Sequence, residues 1–314
     1  MSWNNKDQEI INELKSNNID ICSISETKKK GKGKYEIDDY TLIYSGVSRD
    51  KRGHSEVGLL IDRKYKDHIE KEEYISDRIL LVTLNVNKEN IHLISVYAPD
   101  ISKDRAERES FYEELQEAVD RIQAKDKIVI MGDLNARVGN EPLGGVTQRF
   151  NEEVMNDNGD LLKAFCAVNA LRINNTFFEH DMKYKYTWQN TRGQQSVIDY
   201  IITNRSITPQ TILDVRTLNA ANIGSDHKLL LCKLRLSIPA STKPKPHRMN
   251  KFNIESLEDN NTKLLFENRL TNKINENPTN REHDIDEQWK TIKDNILWCR
   301  RRSHRKKRNL HQQG

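Results

Sequence analysis

Over its first 238 residues the chain switches repeatedly between short apolar runs and polar turns, and this alternation leaves few folds open to it. Ile19–Ile24, Tyr40–Ser45, Glu56–Ile61, Ile79–Val86, Ile91–Tyr97, Lys127–Met131, Val197–Thr203, Thr211–Thr217 and Leu229–Leu236 have strand length and are rich in Ile, Val, Leu and Tyr. Residues Asn87–Asn90 join two of these runs with a hairpin-length loop. Three segments carry helical spacing instead: Asp7–Ser16, Asp104–Ala124 with Phe111, Leu115 and Val119, and Gly159–Val168 with Leu161, Leu162 and Phe165. Many strands, few helices and a hairpin predict an α+β fold, a four-layer α/β/β/α sandwich of two mixed sheets.

Charge divides the chain where apolar content does not. Residues 1–238 carry a net charge of −3, and residues 239–314 carry +7. The join at Pro239–Pro246 has three prolines in eight residues, the mark of an extended linker. We therefore expect one domain over 1–238 and a Pro/Lys linker with a helical, basic tail over 239–314. Ile254–Ile274 and Asp286–Trp298 have helical spacing there, and Arg300–Arg308 holds seven basic residues in nine. That block suits a nuclear localisation signal, a nucleic-acid contact or the remnant of a join to a further domain. No run of about 18 apolar residues is present, the N-terminus lacks the pattern of a signal peptide, and the four cysteines have no metal or redox spacing. The expectation is an intracellular protein, nuclear rather than cytoplasmic.

Polar signatures cluster at the ends of the apolar runs, where layered folds gather their ligands. Ser25-Glu26-Thr27 follows the first run, Tyr97–Asp100 follows the fifth, and Gly132-Asp133-Leu134-Asn135 follows the sixth. Asp199 lies inside a strand, and Ser225-Asp226-His227 precedes the last one. Taken singly, each has an ordinary structural role: Glu26 as a solvated loop residue, Asp133 and Asn135 as turn formers, Asp226-His227 as a cap or turn. Asp199 differs, because a carboxylate in an apolar strand must find a partner. Together they offer four carboxylates, one amide and one imidazole. Such hard oxygen donors suit Mg²⁺ or Mn²⁺.

The ordered set Ser25-Glu26-Thr27, Val96-Tyr97-Ala98-Pro99, Gly132-Asp133-Leu134-Asn135, Thr187-Trp188, Ile198-Asp199-Tyr200-Ile201 and Ser225-Asp226-His227 resembles the endonuclease/exonuclease/phosphatase superfamily. Its wording is similar to that of endonuclease domains from non-LTR (LINE-type) retrotransposons and of craniofacial development protein 2-like proteins, over roughly residues 6–238. The resemblance implies that Glu26 binds a divalent ion, Mg²⁺ or Mn²⁺, and that Asp226 lines a position near it. It implies that Asp133 and Asn135 position the attacking water and hold a phosphate oxygen. Tyr97 would donate to the phosphate. His227 would face it as base or as stabilising cation, oriented by Asp199. Superfamily members usually open with a strand ending in an Asn that serves the metal and phosphate site. Here the first helix begins by about Asp7, so that strand is expected to be absent or vestigial, echoed only in Trp3-Asn4, which puts activity in question.

Two basic clusters point to DNA, or RNA, as the partner. Lys28, Lys29, Lys30, Lys32 and Lys34 follow Glu26 directly, either as a solvated loop or as an arm tracking phosphates. Arg300, Arg301, Arg302, Lys306 and Lys307 belong to the terminal block. The leading reading is a Mg²⁺-dependent, retrotransposon-derived DNA endonuclease. Its rivals are a catalytically impaired relic acting as a binding module and a phosphoesterase of the same fold with a non-DNA substrate.

Overall fold

A computed structural model describes residues 7–48, 50, 55–219, 225–235, 260–276, 278, 288–289, 291–292 and 295–296. The Pro239–Pro246 linker, the Arg300–Arg308 block, Gly224 and Trp3-Asn4 lie outside the described residues. The chain divides into two units, Met1–Ser241 and Thr242–Gly314.

Helix α1 (Asp7–Ser16) leads into strand β1 (Ile21–Ser25), followed by β2 (Lys32–Ile37), β3 (Tyr40–Ser45), β4 (Val57–Asp62), β5 (Ile69–Tyr74), β6 (Ile79–Val86) and β7 (Glu89–Tyr97). Helix α2 (Arg105–Asp120) then carries the chain to β8 (Lys127–Asp133), and α3 (Asp157–Val168) to β9 (Arg172–Ile173). Short β10 (Trp188–Gln189) and β11 (Gln195–Ser196) precede β12 (Asp199–Thr203), β13 (Ile212–Leu218) and β14 (Leu229–Leu234). In the second unit the described residues include one long helix, α4 (Asn260–Glu276).

The strands form a four-stranded sheet, β1-β4-β3-β2, a six-stranded sheet, β5-β6-β7-β8-β12-β9, and the pairs β10-β11 and β13-β14. Of the two sheets expected to be mixed, only the six-stranded one is. It contains one parallel pair, β7 with β8, while every pairing of the four-stranded sheet is antiparallel. The parallel pair requires a crossover, and α2 supplies it.

The apolar runs are continuous because their strands are covered on both faces. In β6, Ile79 and Leu81 belong to a core with Phe111 and Leu115 of α2 and Leu162 and Phe165 of α3. The alternate residues Leu80, Val82 and Leu84 belong to a second core with Val57, Leu59 and Ile61 of β4. A third core joins Ile11 and Leu14 of α1 to Leu42 and Leu60. Each helix of the main core starts on a side-chain cap: Asp104 Oδ1 accepts from Glu107 N at 2.7 Å, and Asn156 Oδ1 accepts from Gly159 N at 2.9 Å.

The first turn of α3 abuts the loop after β8 so closely that only glycine fits. A Cβ on Gly159 would lie 1.9 Å from the carbonyl oxygen of Arg137. We expect Gly159→Ala to destabilise the fold by about 1–3 kcal/mol, the usual cost of overpacking. Urea denaturation checks this, and an unchanged midpoint would mean that the helix can give way there.

Candidate active site

The register of the six-stranded sheet sets three polar residues in one row. Tyr97 at the end of β7 stands opposite Asp133 at the end of β8, and Asp133 stands opposite Asp199 at the start of β12. Gly132 permits this close approach: its φ is +143°, and a Cβ there would lie 2.0 Å from the carbonyl oxygen of Val96. Like charges directly opposed on neighbouring strands repel, and a third group lies between them. His227, just before β14, places Nδ1 2.9 Å from Asp199 Oδ2 and Nε2 3.8 Å from Asp133 Oδ2. An ionised carboxylate only accepts, so Nδ1 carries the proton shared with Asp199. Nε2, too far from Asp133 for a hydrogen bond, remains open to the cleft.

The electrostatics follow from this packing. Asp133 is only 3% exposed. Burial, and then the neighbouring Asp199 charge, push its carboxyl well above the ordinary range, with His227 opposing. Burial alone would lower the His227 imidazole, but the Asp199 carboxylate beside it outweighs burial, and the net direction is up. The packing thus favours the charged form of the imidazole between the two acidic side chains.

Glu26 reaches the same end of the domain from the other sheet, at the tip of β1. Its backbone is left-handed, with φ +53°. Tyr97 Oη donates to Glu26 Oε1 at 3.0 Å, and Lys28 Nζ donates to Oε2 at 3.2 Å. Partial burial works against the ionised form, but these two donors prevail and hold the Glu26 carboxyl below its usual value. Burial, followed by the Glu26 and Asp133 charges, raises the Tyr97 phenol, so it stays a donor at physiological pH.

Several residues without a role in the sequence reading hold this arrangement. Asn158 on α3, 2% exposed, donates through Nδ2 to the carbonyls of Pro99 and Asn135 at 3.0 and 2.9 Å, and its Oδ1 accepts from Arg108 at 3.0 Å. It ties the loops after β7 and β8 to both helices. Asn135 strengthens the tie, its Nδ2 donating to the Ala98 carbonyl at 2.9 Å while its own N–H caps Asp133 Oδ1 at 2.8 Å. Thr187 Oγ1 accepts from the amides of Ile198 and Asp199, and Asn175 Nδ2 donates to the Asp199 carbonyl at 3.0 Å. Buried asparagines of this kind leave no sequence signal, because Asn is equally common in solvated turns.

Glu26, Tyr97, Asp133, Asn135, Asp199, Asp226 and His227 all border one groove. Asp133, Asp199 and His227 offer ligand atoms within 4.8 Å of one another, a set able to hold a metal ion. Glu26 and Asp226, the ligands implied by the resemblance, stand outside that set, and the Asp226 carboxylate accepts from Trp188 Nε1 at 2.9 Å. A dense group of acids, one of them forced up by burial and by the Asp199 charge, is a fitting donor set for a divalent cation.

The lysine run is neither a loop nor a free arm throughout, since Lys32–Ile37 is β2. Gly33, Tyr35 and Ile37 turn towards the sheet, and the alternating lysines point outward. Lys34 pairs with Glu72 at 2.6 Å, Lys32 donates to the Tyr74 carbonyl, and Lys29 lies 4.9 Å over the Tyr35 ring. Lys30 is exposed. Arg300, Arg301, Arg302, Lys306 and Lys307 lie outside the described residues.

Comparison with known proteins gives a consistent set of matches. Residues 91–231 match the family model described as endonuclease-reverse transcriptase. The chain is 35% identical over 236 residues to craniofacial development protein 2 of Bos taurus, covering 74% of this chain and 39% of that one. It therefore spans well under half the length of this curated relative. Among solved structures it is similar to the endonuclease domain of TRAS1, a telomere-specific non-LTR retrotransposon, with TM-score 0.53 and 16% identity over 73% of this chain and 92% of that one. It is also similar to the AP endonuclease LMAP from Leishmania major, with TM-score 0.54 and 12% identity over 75% and 85%. The structural matches establish a shared fold.

The Asp199–His227 contact makes a direct prediction. Asp199→Asn removes the charge that lifts the imidazole, so the His227 pKa should fall in the variant. The sign for stability follows: a proton held more tightly in the native state stabilises fully below the unfolded value of about 6.5, and that contribution is lost as pH rises from there through the raised native value of about 10. NMR titration of the His227 ring in both proteins checks the first point. Equal pKa values would mean that the pair is not formed.

Proposed function

Because this chain is a homologue of craniofacial development protein 2 and carries an endonuclease/exonuclease/phosphatase domain of the retrotransposon type, we propose that it hydrolyses phosphodiester bonds in DNA as a metal-dependent endonuclease. The observation that carries this reading is the meeting of Tyr97, Asp133, Asp199, His227 and Glu26 at one end of one groove, from five different segments. The matched retrotransposon and AP endonucleases support DNA as the substrate class.

In this proposal the residues divide the work by their environments. Asp133, its carboxyl raised by burial and by Asp199, is a stronger base than an ordinary aspartate. It takes a proton from the attacking water as the water oxygen bonds to phosphorus and the bond to the leaving oxygen breaks. His227, held as a cation by Asp199, presents Nε2 to the charge that grows on the phosphate oxygens. Asn135 has a free side-chain carbonyl and one further amide hydrogen with which to hold the water or a phosphate oxygen. Tyr97 Oη, now on Glu26, is a donor that can turn to the substrate. A divalent ion, Mg²⁺ or Mn²⁺, held by Glu26 with Asp226 nearby, would neutralise charge on the scissile phosphate.

Nicking of supercoiled plasmid under Mg²⁺ tests the proposal. Asp133→Ala and His227→Ala should each lower the rate by roughly 10²-fold or more, and chelation should abolish it. Tyr97→Phe should cost less, since it removes one donor. An Asp133→Ala protein as fast as the parent would sink the assignment. Faster release of phosphate from small phosphate esters than cutting of plasmid would move the substrate class away from DNA.

A further inference from the structure

The strand that carries Asp199 is supported unevenly on its two edges. Along one edge β12 pairs with β8 through all its residues, Asp199–Thr203. On the other, β9 pairs only with Ile202 and Thr203, and among the described residues no strand flanks Asp199–Ile201 there. Two asparagines following β9 continue the support with their side chains. Asn174 Nδ2 donates to the Ile201 carbonyl and to Thr203 Oγ1, each at 3.0 Å. Asn175 Nδ2 donates to the Asp199 carbonyl, and its Oδ1 accepts from Ile201 N, again at 3.0 Å. One side-chain amide thus supplies the donor and the acceptor that a neighbouring strand would have offered.

An amide can do this only while its own backbone is fixed. Asn174–Phe177 form a single 3₁₀ turn that starts without a side-chain cap. Lys185 closes it instead: Nζ donates to the carbonyls of Asn175 at 2.9 Å and Phe178 at 2.8 Å. The lysine is only 5% exposed, an uncommon place for an ammonium. Burial lowers it to about 8, with the Asp214 carboxylate opposing. It still carries its charge at neutral pH, and both of these bonds go to main-chain carbonyls. Two residues on, Thr187 Oγ1 accepts from the amides of Ile198 and Asp199, and the Thr187 carbonyl accepts from Lys228 N at 2.7 Å, beside His227. The segment 185–187 therefore bears on both members of the Asp199–His227 pair, Thr187 through main-chain bonds and Lys185 through Asn175.

We propose that Lys185 is a positioning residue of the site, clamping the Asn175 turn against β12 so that the Asp199 carboxylate stays in reach of His227 Nδ1. The lysine does not border the groove, and its effect is transmitted. Lys185 fixes the Asn175 carbonyl, Asn175 fixes Asp199, and Asp199 orients the imidazole whose Nε2 faces the cleft. An apolar group of similar length in its place would leave both carbonyls without their donor. The turn would then relax, and a working site tolerates displacements of only about 0.5 Å. The inference rests on the reading of Asp199 and His227 as the catalytic pair.

The test uses the full chain and Lys185→Met. Plasmid nicking should lose roughly tenfold to hundredfold in kcat, with KM changed by less than about twofold, since nothing that touches substrate has been removed. The hydrogen-bonded Nδ1–H proton of His227, followed by NMR, should weaken or move upfield. Val119→Ala, in the core at the C-terminal end of α2, controls for lost stability and should leave both readouts in place. In the double variant Lys185→Met/Asn175→Ala the kcat loss should not exceed that of the larger single variant, because the two residues act as one unit. An unmoved His227 proton in Lys185→Met overturns the proposal, and so do losses that add in the double variant. If Lys185→Met fails to fold, Lys185→Gln, which keeps an amide donor, is measured in its place against the same outcomes. A parent protein that does not nick counts against the nuclease reading alone, and the His227 signal then decides for or against Lys185.

Discussion

Two carboxylates on adjacent strands of one sheet are tolerable only if something cancels their repulsion, and here a single imidazole does so. Asp133 and Asp199 are fixed opposite each other by register, and neither can move without breaking the ladder around it. His227 comes from a distant segment to lie between them. The loops on both sides are then tied by neutral polar side chains, Asn158, Asn135, Thr187 and Asn175, which add no charge to a site already crowded with acids. Polar groups buried this deeply are retained because each finds a partner.

This arrangement also divides the labour between the two sheets. The six-stranded sheet delivers Tyr97, Asp133 and Asp199 in one row, while β1 of the other sheet delivers Glu26. The Tyr97–Glu26 hydrogen bond links the two across the gap at the site, and Ser23 bonded to Ser95 and to the Met131 carbonyl links them further along β1. A site made by opposing sheets is sensitive to their separation in a way that a site on one sheet is not.

What could be read from the sequence follows the same physics. The long interior strands were legible because burial on both faces demands unbroken apolar runs, as in β6 and β8. Strands β2 and β5 escaped because they end their sheets and read as charge, KGKYEI and IEKEEY. Pairs such as β10 and β11 are two residues long and have no period to detect. Among site residues, Asp199 was conspicuous as a carboxylate in an apolar strand, and its partner is His227. Arg137 was invisible, although its guanidinium binds Glu152, whose other oxygen accepts from Val197 N at 2.7 Å and so links the loops bearing Asn135 and Asp199. No pattern in a single chain announces a contact between residues 15 positions apart in irregular segments.

The separation of the site's parts along the chain has a temporal meaning. Glu26 lies near one end of the domain and His227 near the other, and the pairing of β7 with β8 must span α2 before it can close. Contacts so distant in sequence form late, after local structure has been made. During synthesis the first strands, helices and both aspartates would emerge well before the imidazole that unites them. A nascent chain therefore lacks the assembled Asp133–His227–Asp199 group until β14 has left the ribosome, and an interrupted one holds two carboxylates whose repulsion nothing offsets.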